Sequence, residues 1–253
     1  MYTTLEVSID GAIGRIWLNR PQCLNALSTE TLRELAMAAH YFDSKEQVRV
    51  VIVAGRGRAF SAGADLQSFP QLSDPELRSA ADAGREMADA LEGMRAISIA
   101  QIHGWCVGGG LVLAAACDLR LAAEDAQFSI PEIDLGIPLA WGGIPRLVRE
   151  IGPALTKELV ITCRTFSTDE ALRCGFLNRG VSSDQLEEAS LALAEQIAAK
   201  PALPVFATKQ HANAVTANMV GMNRSWSDAD SLISGLVDPE CSEARETYIQ
   251  SKL

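Results

Sequence analysis

Two runs constrain the fold more than any other feature: "VRVVIVAG" at 48–55 and "ISIAQIHG" at 97–104. The first is a continuous β-branched run and the second is nearly as apolar. Neither shows the polar alternation of a strand with one wet face. This is the pattern of strands covered on both sides, as in a parallel sheet flanked by helices. The surrounding segments supply the cover. "TTLEVSIDGAIGRIWLNRP" alternates about Asp10-Gly11 and reads as a hairpin. Ser28 opens a helix with Leu32, Leu35, Ala36, Ala39 and Phe42 on one face. A second helix is expected over about 75–95, after Asp74-Pro75, and short strands at "DLRLAA" and "QFSI". From about 142 onward the pattern turns helical: one run starts at Ser183 and stops at Pro201, another covers 204–219, and a polar, Trp-containing tail follows. Strands alternating with helices, then helices alone, predict an α/β core with a helical C-terminal portion.

Composition removes several function classes. The chain has 253 residues, enough for one large domain or two small ones, and is 48% hydrophobic and 21% charged. No apolar run reaches the length of a membrane span, and "MYTTLEVSIDG" lacks the basic flank and apolar stretch of a secretory signal. A cytoplasmic location is expected, with no membrane partner. The six cysteines (23, 106, 117, 163, 174, 241) form no CxxC pair and read as reduced thiols. His40, His103 and His211 form no metal-ligand cluster, so no metal is expected. A net charge of −10 disfavours nucleic acid, and the small basic "GRGR" at 55–58 reads as a solvated loop.

The segment "HGWCVGGGLVLAAACDL", 103–119, sets an apolar helix directly behind Gly108, Gly109 and Gly110. Glycine is a poor helix former, so the triplet costs stability and needs a reason. It is not a P-loop, because Leu111 and Val112 stand where Lys and Ser/Thr are required. It is not a dinucleotide fingerprint either, because Leu113 replaces the third glycine. Two readings remain: close helix–strand packing, or backbone N–H groups at a helix start facing a developing negative charge. A second small-residue loop behind a buried strand, "AFSAGADL" at 59–66, could supply a second such donor.

Four segments in order, "NRPQCLNALS", "GRAFSAGADL", "IHGWCVGGGLVLAAACDLRLAAEDAQFSIPEIDLGI" and "GGIPRLVREIG", resemble the crotonase superfamily, the enoyl-CoA hydratase/isomerase family, over most of the chain. The resemblance implies a crotonase-like ββα spiral core over residues 1–195, with the CoA and acyl site. It implies a helical C-terminal trimerisation region over 196–253, giving a homotrimer or a dimer of trimers. It implies a coenzyme A thioester as substrate, with no prosthetic group. Carried over by position, the oxyanion donors are the N–H groups of Ala64 and Gly109. Cys23, Leu24, Ala26, Ala62, Ala64, Asp65, Leu66 and Gln67 would line the CoA channel.

Family hydratases use two glutamates. The second stands here as Glu132, which with Pro131 is expected to open a short helix whose dipole favours a carboxylate. The first is replaced by Val112, which cannot carry a proton. Hydration needs water activated at C3 and a proton delivered to C2, whereas moving a double bond needs one group that removes a proton at C2 and returns it at C4. A lone Glu132 therefore favours isomerase-like proton transfer. Hydration of a particular substrate, thioester decarboxylation and non-catalytic acyl-CoA binding are the alternatives. Trp141 is expected in the acyl pocket wall, with core packing as the other reading, beside Val112. Asp134 reads as a solvated charge, Arg146 and Lys209 as surface charges with contact to an anionic acyl chain or the CoA phosphates as the other reading, His103 as structural, and Cys106 as unreactive for want of a cationic partner.

Overall fold

The structure is a computed structural model that describes residues 2–65, 74–221 and 227–252. The expected hairpin is β1 (Leu5–Asp10) and β2 (Ile13–Leu18), paired antiparallel. Strands β3 (Val50–Gly55) and β4 (Ile97–Ile102) are the two apolar runs, and every residue of β3 is buried. With β6 (Leu119–Ala123) and β9 (Arg179–Val181) they form a six-stranded sheet ordered β1-β2-β3-β4-β6-β9, parallel from β2 onward. A second sheet, β5-β7-β8, is made from β5 (Trp105–Val107), β7 (Gln127–Ser129) and β8 (Phe166–Ser167).

Helix α1 (Thr29–Asp43) starts where Ser28 caps it, the Ser28 hydroxyl accepting from the Thr31 N–H at 3.2 Å. Its Phe42 ring lies against the bare Cα of Gly14 in β2, where a side chain would overlap the ring. Helix α2 (Asp74–Gly93) packs along α1, and α3 (Gly109–Ala115) is wholly buried. Helix α4 (Gly143–Thr162) is broken at Gly152, whose φ of 77° and ψ of 164° precede Pro153. The rest are α5 (Thr168–Arg173), α6 (Leu186–Ala198) across β3, β4 and β6, α7 (Ala202–Met219), α8 (Asp228–Val237) and α9 (Pro239–Lys252).

Three expectations need correction. The chain beyond 142 is not helix alone, because β8 and β9 return to the two sheets. With two and three residues, they are too short to show a period. Residues 222–226 of the polar tail, with Trp226, lie outside the described residues; from Asp228 on, the tail is two helices, α8 and α9, set against the body of the protein rather than trailing from it. Arg78 of α2 pairs with Asp230 at 2.5 Å, and Arg245 donates to the carbonyls of Leu135 and Gly235. Residues 131–136 form a single turn rather than a short helix, closed by Leu135 N–H to Pro131 O at 3.1 Å. Gly136, at φ 65°, ends it, and no room exists for a side chain there against the Cys241 backbone.

No described helix is long and apolar enough to cross a membrane, and among the described residues no cluster of His, Cys, Asp and Glu could hold a metal ion. All six cysteines are free thiols.

Candidate active site

The register of three strand-like segments assembles the site. The loop after β3 runs parallel to β5: Ser61 N–H donates to Trp105 O and Val107 N–H to Ser61 O, each at 3.0 Å. Ser61 is thereby paired with Cys106, and three residues further along each strand stand Ala64 and Gly109. Strand β7 lies on β5, with Val107 opposite Ser129. The chain therefore leaves both strands at the same end, and Glu132 arrives beside Gly108. Phe128 in β7 is fixed by stacking on Phe166 and by the edge of Phe176.

The direction of each amide follows from this pairing. Residues 63–65 run alongside Leu27, which donates to Gly63 O at 2.7 Å and accepts from Asp65 N–H at 3.1 Å. In an extended segment successive N–H groups point to opposite sides, so the Ala64 N–H faces away from Leu27. It has no protein acceptor among the described residues. The Gly109 N–H has none either, as the first residue of α3, where no carbonyl precedes it in the helix. The two segments touch: a methyl group on Gly63 would stand 2.7 Å from Val107 O and 3.4 Å from Gly109 N.

Each glycine of the triplet makes room for a different neighbour. A side chain on Gly108 would overlap the Glu132 carboxylate, and one on Gly109 would overlap the Trp141 indole. A methyl on Gly110 would sit 2.8 Å from Ser61 Cβ. Gly108 also holds φ at 49°, a conformation costly for other residues. Close packing and exposed backbone are thus both present, at adjacent positions. A small cavity of about 30 Å3 lies where these groups meet. Ala64, Gly109, Val112, Glu132, Trp141 and Leu232 are among its lining residues.

Glu132 is the cavity's one carboxylate. It is only 8% exposed and its Oε2 has no hydrogen-bond partner among the described residues. With a single turn behind it there is no helix dipole to favour the anion. Burial, only partly opposed by its own backbone N–H, pushes the carboxyl up to about 7. Such a group exchanges a proton readily near neutral pH. Val112 is fully buried, its Cγ2 facing Gly143, and puts no second proton carrier beside Glu132.

Of the residues expected to hold coenzyme A, five come together. The 20–27 turn docks on the 61–65 loop through Ala62 N–H to Leu24 O at 2.9 Å, and Arg20 bridges Ala26 O and the Asp65 carboxylate at 2.6 and 2.8 Å. Cys23, Leu24, Ala26, Ala62 and Asp65 therefore belong to one continuous patch beside Ala64. Leu66 and Gln67 lie outside the described residues. His103 bonds Gly57 O at 2.9 Å, and the Cys106 thiol is raised far above its usual range by burial. Asp134 is exposed, as expected. Arg146 and Lys209 are not surface charges. Arg146 is fully buried against Asp89 and Glu92, at 2.8 Å from each, and Lys209 is buried on Asp118 at 2.7 Å. Leu232 was not anticipated at the site. It reaches the cavity from α8, in a stretch expected to serve assembly, and no local signal in the sequence marks it.

The enoyl-CoA hydratase/isomerase family model matches residues 8–245. The chain belongs to that family. The enzyme is 40% identical over 199 residues to a probable enoyl-CoA hydratase of Rhizobium meliloti, covering 78% of this chain and 76% of the relative. It is 36% identical to the peroxisomal Delta(3,5)-Delta(2,4)-dienoyl-CoA isomerase of Arabidopsis thaliana, with 82% and 81% covered. Among solved structures, a putative enoyl-CoA hydratase from Thermobifida fusca in complex with CoA superposes with a TM-score of 0.77 at 30% identity. That match covers 87% of this chain and 92% of the other. Both lyases and isomerases thus stand among the enzyme's relatives, and its fold is theirs.

Proposed function

We propose that the enzyme isomerises a 3-enoyl-CoA thioester to its conjugated 2-enoyl isomer, with Glu132 as the sole proton carrier. One observation carries this reading. Two N–H groups without protein acceptors, from Ala64 and Gly109, share a small cavity with one buried carboxylate whose Oε2 is unpartnered. The thioester oxygen accepts from both amides. Ionised Glu132 takes the C2 proton, the electron pair moves onto the thioester oxygen as the enolate forms, and the same carboxyl returns the proton at C4 while the double bond settles between C2 and C3. Fixed dipoles aimed at that oxygen lower the barrier, each donor by roughly 3–4 kcal/mol in comparable acyl chemistry. Val112 supports isomerisation over hydration, since nothing on that wall activates water.

The patch of Cys23, Leu24, Ala26, Ala62 and Asp65 is the proposed CoA channel, continued by Leu66 and Gln67. Assembly into a trimer, or a dimer of trimers, through the 196–253 region is supported by α7. That helix leaves Leu203 76% exposed and Met219 77% exposed, with Lys209 its one buried residue. The test is Glu132→Gln. Double-bond migration in 3-enoyl-CoA should fall at least a thousandfold while CoA thioester affinity stays within a few fold. Undiminished turnover in the variant overturns the proton-shuttle role, and faster hydration than migration in the unaltered enzyme returns the reading to a hydratase.

A further inference from the structure

Trp141 occupies a slot cut by two glycines from different helices. Its indole lies against the Cα of Gly109 at the start of α3 and the Cα of Gly84 in the middle of α2, and a side chain at either position would overlap the ring. Trp141 itself holds φ at 60°, followed by Gly142 at 67°, an uncommon conformation for a bulky residue. Two side chains, the buried Arg146 and the half-buried Asp228, hold the turn in place. The Arg146 guanidinium donates to Trp141 O at 3.2 Å, and the Asp228 carboxylate accepts from the Gly142 N–H at 2.8 Å. Arg146 is in turn anchored to α2 through Asp89 and Glu92. The ring is 6% exposed and lines the same cavity as Glu132.

We infer that Trp141, seated between Gly84 and Gly109, restricts the enzyme to thioesters of short acyl chains. The inference rests on the reading that the thioester carbonyl sits on the amides of Ala64 and Gly109. With that oxygen placed, the chain beyond C2 must enter a cavity of only about 30 Å3 that the indole helps to wall. A longer chain meets the indole, which is hemmed in by Gly84 of α2 and Gly109 of α3 while the clamped turn holds its root. Replacing the ring by a methyl group opens the slot between α2 and α3 in line with the cavity.

The experiment measures binding of free CoA and of saturated butanoyl-, hexanoyl- and decanoyl-CoA to the full chain by calorimetry. It compares the unaltered protein with Trp141→Ala and Gly84→Ala. Butanoyl-CoA should bind the unaltered protein at least tenfold more tightly than decanoyl-CoA. Trp141→Ala should level or reverse that ratio with free CoA affinity unchanged. Gly84→Ala keeps the indole but drives it toward the cavity, so butanoyl affinity should fall at least fivefold, again with free CoA unaffected. Equal affinity of the unaltered protein for the two chain lengths overturns the inference, as does a butanoyl preference that survives Trp141→Ala. Failure to bind any CoA compound overturns both this inference and the reading beneath it. Saturated thioesters cannot be turned over, so the chain-length result is independent of isomerisation. A short-chain preference in a protein that leaves 3-butenoyl-CoA unchanged upholds the inference and refutes the proton shuttle alone.

Discussion

Glu132→Gln should make the protein more stable, and increasingly so as pH rises. In the unfolded chain the carboxyl titrates near its ordinary value of 4.5, whereas burial in the folded protein pushes it up to about 7. Below 4.5 both states are protonated and ionisation contributes no difference. Between those values the unfolded chain releases the proton and the folded one keeps it, so stability falls as pH rises and levels off above 7. The interval of about 2.5 pH units corresponds to about 3 kcal/mol at 1.36 kcal/mol per unit. That is a large share of the 5–15 kcal/mol typical of a folded domain. A glutamine amide does not ionise, so the variant lacks this loss. Any cost of burying the amide is the same at every pH and cancels from the slope. Urea unfolding of both proteins at pH 5 and pH 8, at one protein concentration, reads the difference as a shift in midpoint. The variant's advantage should grow by roughly 2–3 kcal/mol between the two pH values, since a part of the loss has already occurred at pH 5. Parallel pH dependence in the two proteins would show that Glu132 ionises as freely in the folded state as in the unfolded one, and the reasoning fails.

The same titration governs turnover, since only the ionised carboxyl accepts the C2 proton: kcat/KM should rise through about pH 7 and then level off. Val112→Glu should introduce hydration of a 2-enoyl-CoA at least tenfold above the unaltered protein, measured by loss of the conjugated absorbance. Two carboxyls sharing a small cavity should also raise one titration further. Lys209→Met strands Asp118, which keeps the Ser98 N–H and hydroxyl at 2.8 and 2.9 Å but loses its buried cation. Thermal and urea unfolding should show a loss of about 3 kcal/mol, largely recovered by adding Asp118→Asn.

How far the sequence discloses this molecule follows from the range of the contacts involved. β3 is legible because burial on both faces leaves an unbroken apolar run, and α1 because Ser28 and the face of Leu32, Leu35 and Phe42 are local signals. The glycine triplet is legible as an anomaly but not as an explanation. The groups that require bare Cα atoms at 108, 109 and 110 are Glu132, Trp141 and Ser61, brought there by strand register rather than by proximity along the chain. The same distance hides the burial of Arg146 and Lys209, whose carboxylate partners lie 57 and 91 residues away in Asp89 and Asp118. It hides Leu232 as well, because nothing near it shows that α8 turns back over the cavity. One physical consequence connects these cases. Residues that break local rules — glycines opening a helix, a left-handed tryptophan, a buried carboxyl with one unpartnered oxygen — concentrate around a single cavity, where each is destabilising alone. A protein selected only for stability would relieve them one by one, with Glu132→Gln the simplest step. That all are retained together, on two amides with no protein acceptor, is the pattern expected of a site in which stability is given up for chemistry.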